Sequence, residues 1–62
     1  MTVQAKELKA GDLVQFEISN FLDKVQSVVV EGVWCRVHFQ GFLRYSVFRS
    51  DALFTVISRG ES

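Results

Sequence analysis

The 62-residue chain balances seven Lys and Arg against seven Asp and Glu, is 48% apolar with six Phe, and has one Cys, one His and no Pro. That length holds one domain, expected over residues 1–62, with a thin stability margin, and zero net charge removes any long-range pull toward nucleic acid or an anionic membrane while favouring self-association. One Cys permits no internal disulfide, and one Cys with one His makes no zinc site, so no metal and no cofactor is expected.

Apolar residues recur with a period of two, and no stretch of eleven residues shows helical spacing. Thr2 to Ala5 reads as an extended lead-in, and Gln4 to Lys9 has room for one helical turn. Lys9-Ala10-Gly11-Asp12 is a turn, with Gly11 free to take positive φ and Asp12 able to bond neighbouring amides. Leu13 to Ile18 is a strand with Val14, Phe16 and Ile18 inward, and Gln15 and Glu17 outward. Ser19 to Asp23 is a loop presenting Phe21 and Leu22, a second candidate contact site. Lys24 to Val30, rich in β-branched residues, is the second long strand. After a turn at Glu31-Gly32, Val33 to His38 and Phe42 to Arg49 form a hairpin. Ser50 to Leu53 predicts one tight helical turn, Phe54 to Ser58 the last strand, and Arg59 to Ser62 a polar tail. This succession predicts an all-β fold, a small five-stranded closed barrel with one short helical turn before the last strand.

The run Leu8-Lys9-Ala10-Gly11-Asp12-Leu13-Val14 resembles the lead into the first long strand of Src-homology-3-like (SH3-like) barrels, including those of translation factors and related ribosome-associated domains. Asp51-Ala52-Leu53-Phe54-Thr55-Val56 looks like their helical turn and closing strand. The resemblance implies the SH3-like barrel fold. The translation-factor members imply a nucleic-acid role as an alternative. The acidic loop patch and tyrosine array of the proline-peptide-binding members have no counterpart here.

The hairpin carries the functional reading. A two-residue loop at Gln40-Gly41 pairs Phe39 with Phe42 and points Arg44 inward beside Cys35 and Val37, which costs several kcal/mol or more. A three-residue loop, Phe39-Gln40-Gly41, pairs His38 with Phe42 and gives Gly41 the left-handed position. Val33, Cys35, Val37, Leu43, Tyr45 and Val47 then face inward, and Trp34, Arg36, His38, Phe42, Arg44 and Ser46 face outward. Arg36 comes to lie opposite Arg44, an unfavourable like-charge pair.

Rings interleaved with guanidinium groups suit a protein partner, since Trp and Arg are favoured interface anchors, or a single strand of nucleic acid, whose bases stack while its phosphates meet arginines. Trp34, Arg36, His38, Phe42 and Arg44 are therefore the candidate partner-binding residues. Each has a plainer role: Trp34 as a cover over a barrel end, Arg36 and Arg44 as solvated or paired charges, His38 as a surface residue without an orienting carboxylate. Cys35, with inward parity between Val33 and Val37, reads as an inert core thiol. Paired carboxylates, a phosphate-cradling glycine loop and a Ser-His-Asp set are all lacking, so an enzyme is not expected. The expected function is a non-catalytic module acting through protein contacts, self-association included, with nucleic-acid or RNA binding as the alternative. The N-terminus lacks the basic and apolar regions of a signal peptide, and the longest apolar runs, such as Val28 to Val30, are too short for a bilayer. A cytoplasmic setting without membrane contact is expected.

Overall fold

Period-two alternation is realised as six antiparallel strands in a computed structural model that describes residues 1–16 and 21–60. They are β1 (Thr2–Gln4), β2 (Leu13–Phe16), β3 (Phe21–Glu31), β4 (Trp34–Phe39), β5 (Ser46–Arg49) and β6 (Leu53–Ser58). The ladder order is β1-β6-β2-β3-β4-β5. Its two ends, β1 and β5, do not pair among the described residues, so the sheet is open where a closed five-stranded barrel was expected.

The sixth strand is the extended lead-in. Burying Val3 opposite Phe54 makes Thr2–Gln4 a full partner of β6. The chain then leaves the sheet through a 3-10 turn, Ala5–Glu7. The Ala5 and Lys6 amides bond the carbonyls of Ala52 (2.7 Å) and Ser50 (3.1 Å). Beyond β1 the chain thus docks on the turn after β5 and not on β5 itself. The only helical turn among the described residues is this one. Where Ser50 to Leu53 was expected to make a helical turn, Ser50 and Asp51 form a simple turn closed by the Ala52 amide on the Arg49 carbonyl at 3.0 Å, and Leu53 already belongs to β6.

β3 starts at Phe21, earlier than expected, because Phe21 and Leu22 pair with Phe16 and Gln15 as strand residues and not as a loop. Ile18, with Glu17, Ser19 and Asn20, lies outside the described residues. A register shift between Val25 and Ser27 divides β3 between β2 on one side and β4 on the other. Bulges bend and twist a strand, which is how one long strand serves two halves of a sheet.

Two glycines make the turns possible. Gly11 (φ 93°) precedes Asp12, and Gly32 (φ 64°) holds the first central position of the two-residue β3–β4 hairpin. Asp12 is fully buried, and its carboxylate ties three chain segments: it accepts from the Lys9 amide (2.9 Å) and the Gly60 amide (2.6 Å) and meets Arg59 Nε at 3.4 Å. The core gathers Val3, Ala5, Leu8, Val14, Val25, Cys35, Val37, Phe39, Phe54 and Val56, with Phe16, Val28, Phe48 and Ala52 packed against it.

The β4–β5 register differs from expectation. Val37 lies opposite Ser46, not Leu43, and Cys35 opposite Phe48. A slip of three residues is odd, so the faces of β5 exchange. Leu43, Tyr45 and Val47 were expected inside, yet Leu43 is 100% and Val47 59% exposed, while Phe48 turns inward. Val33 sits in the hairpin turn and is exposed as well. The cause is a longer connection over residues 40–45, anchored from β3. The Gly41 amide bonds Asp23 Oδ2 (2.9 Å), the Gln40 amide the Lys24 carbonyl (2.9 Å), and the Phe42 amide the Phe39 carbonyl (3.0 Å). Gly41 is not left-handed; of the glycines, Gly11 and Gly32 have positive φ. Its small size is what matters, because a Cβ there would lie 2.6 Å from Asp23 Oδ2.

Candidate interaction face

Every second residue of β3, β4 and β5 points away from the core, and the observed registers align them in rows. Val29, Arg36 and Val47 form one row, and Glu31, Trp34 and Arg49 the next. A third row has Ser27 opposite His38, with Tyr45 entering just before β5. The Tyr45 ring lies 5.1 Å from the His38 ring, and its hydroxyl is 3.1 Å from Ser27 Oγ. Trp34 is 50% and Tyr45 45% exposed, and Val29 and Val47 are exposed between them.

Charges on this face are matched locally. Arg36 Nη2 meets Glu31 Oε2 at 3.0 Å, and its guanidinium carbon stands 5.7 Å from the centre of the Tyr45 ring. Arg49 Nε meets Asp51 Oδ1 at 3.2 Å. Such exposed pairs contribute little stability, about 0–1 kcal/mol each. Their larger effect is to leave few uncommitted positive charges among the rings.

Three of the five residues read from the sequence, Trp34, Arg36 and His38, share this face. Phe42 does not. Its ring turns to the opposite side, against Phe16 (6.2 Å) and Phe39 (5.9 Å). Its carbonyl accepts from His38 Nε2 at 3.0 Å, which places the ring proton on that nitrogen, since a carbonyl only accepts. Arg44 is exposed in the 40–45 connection and not opposite Arg36, whose partner is Val47. The like-charge clash expected there is therefore absent. Tyr45, Val47 and Arg49 belong to the face and were missed, because the short-loop register assigns Tyr45 and Val47 to the core.

All six Phe of the chain line an open cleft of about 590 Å³ on the other side of the sheet. Their rings form a continuous series of contacts from Phe21 through Phe16, Phe39 and Phe48 to Phe54. Phe21, half of the second contact site expected from the sequence, is the exposed end of that series, and Leu22 beside it in β3 is also exposed.

Among the described residues no cluster of three or more His, Cys, Asp or Glu is placed to hold a metal ion, and no helix is long and apolar enough to cross a membrane. Burial pushes the Cys35 thiol above its ordinary 9.0 by disfavouring the thiolate. Comparison with known proteins finds no match for this chain among protein-family models, curated proteins or solved structures.

Proposed function

We propose that this chain is a non-catalytic protein-binding module whose contact surface is the outer face of β3, β4 and β5, centred on Trp34 and Arg36. The observation that carries the reading is the exposure of Val29, Trp34, Tyr45 and Val47 around Arg36 on one face, with the neighbouring cations Arg36 and Arg49 already paired. An exposed tryptophan beside apolar and arginine neighbours is the composition of an interface centre. Nucleic acid, the alternative, draws its affinity from uncommitted cations meeting phosphates. The engagement of Arg36 by Glu31 and of Arg49 by Asp51 favours the protein reading. A distant relation to the SH3-like barrels is part of the proposal, supported by the Leu8 to Val14 run and the bulged third strand. A reducing, cytoplasmic setting accords with the unpaired Cys35.

The test is affinity capture from native lysate, with and without nuclease. Wild-type protein is expected to retain a partner in both arms. Trp34→Ala/Arg36→Ala should lose it while keeping its thermal midpoint within a few degrees. Capture abolished by nuclease, together with a steep salt dependence of binding to mixed single-stranded oligonucleotides, would transfer the function to nucleic acid.

A further inference from the structure

An open sheet has two edges, and here they are treated differently. β1 is three residues long and runs directly into the 3-10 turn. On the ladder side, Met1, Val3 and Ala5 turn their backbone groups toward β6, as the Val56 to Met1 and Ala5 to Ala52 bonds show. Alternation therefore points Thr2 and Gln4 outward. The Gln4 amide is already taken by Glu7 Oε1 at 2.8 Å, so the β1 edge carries a carboxylate across it. Charged side chains and short length are the usual protections of an edge.

The β5 edge is four residues long, and its one charged residue, Arg49, is paired with Asp51. The Ser50 amide bonds the Val33 carbonyl at 2.8 Å, which marks Val33 and Ser50 as a hydrogen-bonded pair. Stepping along the ladder by twos, Phe48 and Ser46 bond β4, while the N–H and C=O of Val47 and Arg49 face away from the sheet. No proline and no bulge interrupts this strand, and at its middle is exposed Val47.

We infer that β5 is a self-pairing edge, joining two copies of this chain antiparallel about a two-fold axis at Val47. Outer-face residues must meet outer-face residues, and centring the pair on Val47, whose N–H and C=O face outward, puts Val47 opposite the second copy's Val47 and Arg49 opposite its Tyr45. That ring already accepts the Arg36 guanidinium within one chain, so a second cation beside it meets a surface suited to it. The chain turns at Ser50, with Ser50 bonded to Gly32, Val33 and Lys6, and this ends the pairing at Arg49. The two outer faces then become one continuous surface. An isologous contact of this kind closes on itself and does not grow into a fibre. The inference deepens the protein-binding reading by naming one partner, a second copy, and it rests on the backbone edge and not on Trp34.

Sedimentation of the full chain over rising concentration tests it. The mass should pass from 7.1 kDa to twice that as concentration approaches the millimolar range, as a small interface requires. Val47→Pro removes an outward amide without touching a β4 bond and should hold the protein monomeric with its circular dichroism unchanged. If Val47→Pro unfolds, Val47→Lys gives the same readout through edge charge. Oxidised Val47→Cys should cross-link two copies, and Val29→Cys, in the same row but two strands away on β3, should not. A monomer at every concentration, or a dimer insensitive to both Val47→Pro and Val47→Lys, overturns self-pairing. Those outcomes leave the Trp34 face open to other proteins. A dimer lost in Val47→Lys but retained in Trp34→Ala separates the edge from the face.

Discussion

At the scale of single residues, Asp12 does the most structural work. A fully buried carboxylate is tolerated only when its oxygens are occupied, and here the Lys9 and Gly60 amides and Arg59 occupy them. Removing it leaves two part-buried amides and one cation without their acceptor. Asp12→Ala should cost about 3 kcal/mol in urea unfolding, and Asp12→Asn less, because one acceptor oxygen survives. The sequence announced this residue through its place after Gly11, yet not its second task of holding the chain's last segment, since no local pattern links residue 12 to Arg59 and Gly60. The burial of Cys35 followed from its alternation with Val37, while Val33, expected inward beside it, lies exposed in the turn. Its raised thiol pKa also gives a signed prediction. Below about pH 9 the thiol is protonated in folded and unfolded chains alike, and stability is unaffected. Above that the unfolded chain loses the proton first, so stability declines as pH rises. Cys35→Ala should show a shallower alkaline fall in its urea midpoint than the native chain. A thiol reagent at neutral pH should label native Cys35 far more slowly than Cys35 in urea.

Elements are where local reasoning succeeded and register reasoning failed. The positions of β2, β4 and β6 followed from alternation, and the turns at Gly11 and Gly32 from glycine's tolerance of positive φ. The β4–β5 connection did not follow, because its length is set by Asp23, seventeen residues or more away along the chain. Once Asp23 anchors Gly41, the connection extends to six residues and β5 presents Phe48 inward. Phe buries more apolar area than the Leu43 or Val47 it displaces, so the longer loop also gives the better core. Gly41→Ala drives a methyl group into the Asp23 carboxylate. It should destabilise by about 1–2 kcal/mol. Asp23→Ala should cost a similar amount, and the double variant less than the sum, because both remove one interaction. Additive losses in chemical denaturation would show the anchor to be unimportant. The same misjudged register explains why Tyr45 and Val47 were sent to the core and Phe42 and Arg44 were set beside Trp34, Arg36 and His38.

For the whole molecule, the question is what holds an unclosed sheet together. Among the described residues no ladder joins β5 to β1 or β6, so their backbone pairing carries cohesion around the long way, through β4, β3 and β2. Two other links span the gap. One is the pair of amide bonds from Ala5 and Lys6 to the turn after β5. The other is aromatic: Phe48 of β5 meets Phe54 of β6 edge to face, with ring centres 4.8 Å apart and planes at 88°. Edge-to-face rings at this distance couple by about 0.5–1.5 kcal/mol beyond the area they bury. Single truncation of a half-buried or buried Phe should cost about 2–4 kcal/mol, a large share of the stability of so small a domain. A Phe48→Ala and Phe54→Ala double-mutant cycle should therefore return a positive coupling of about 1 kcal/mol in urea denaturation. Leucine replacements provide the measurement if the alanine variants unfold outright. A coupling of zero would mean that the two halves of the sheet are held by β3 and the 3-10 turn alone. The aromatic series would then line the cleft without bridging it.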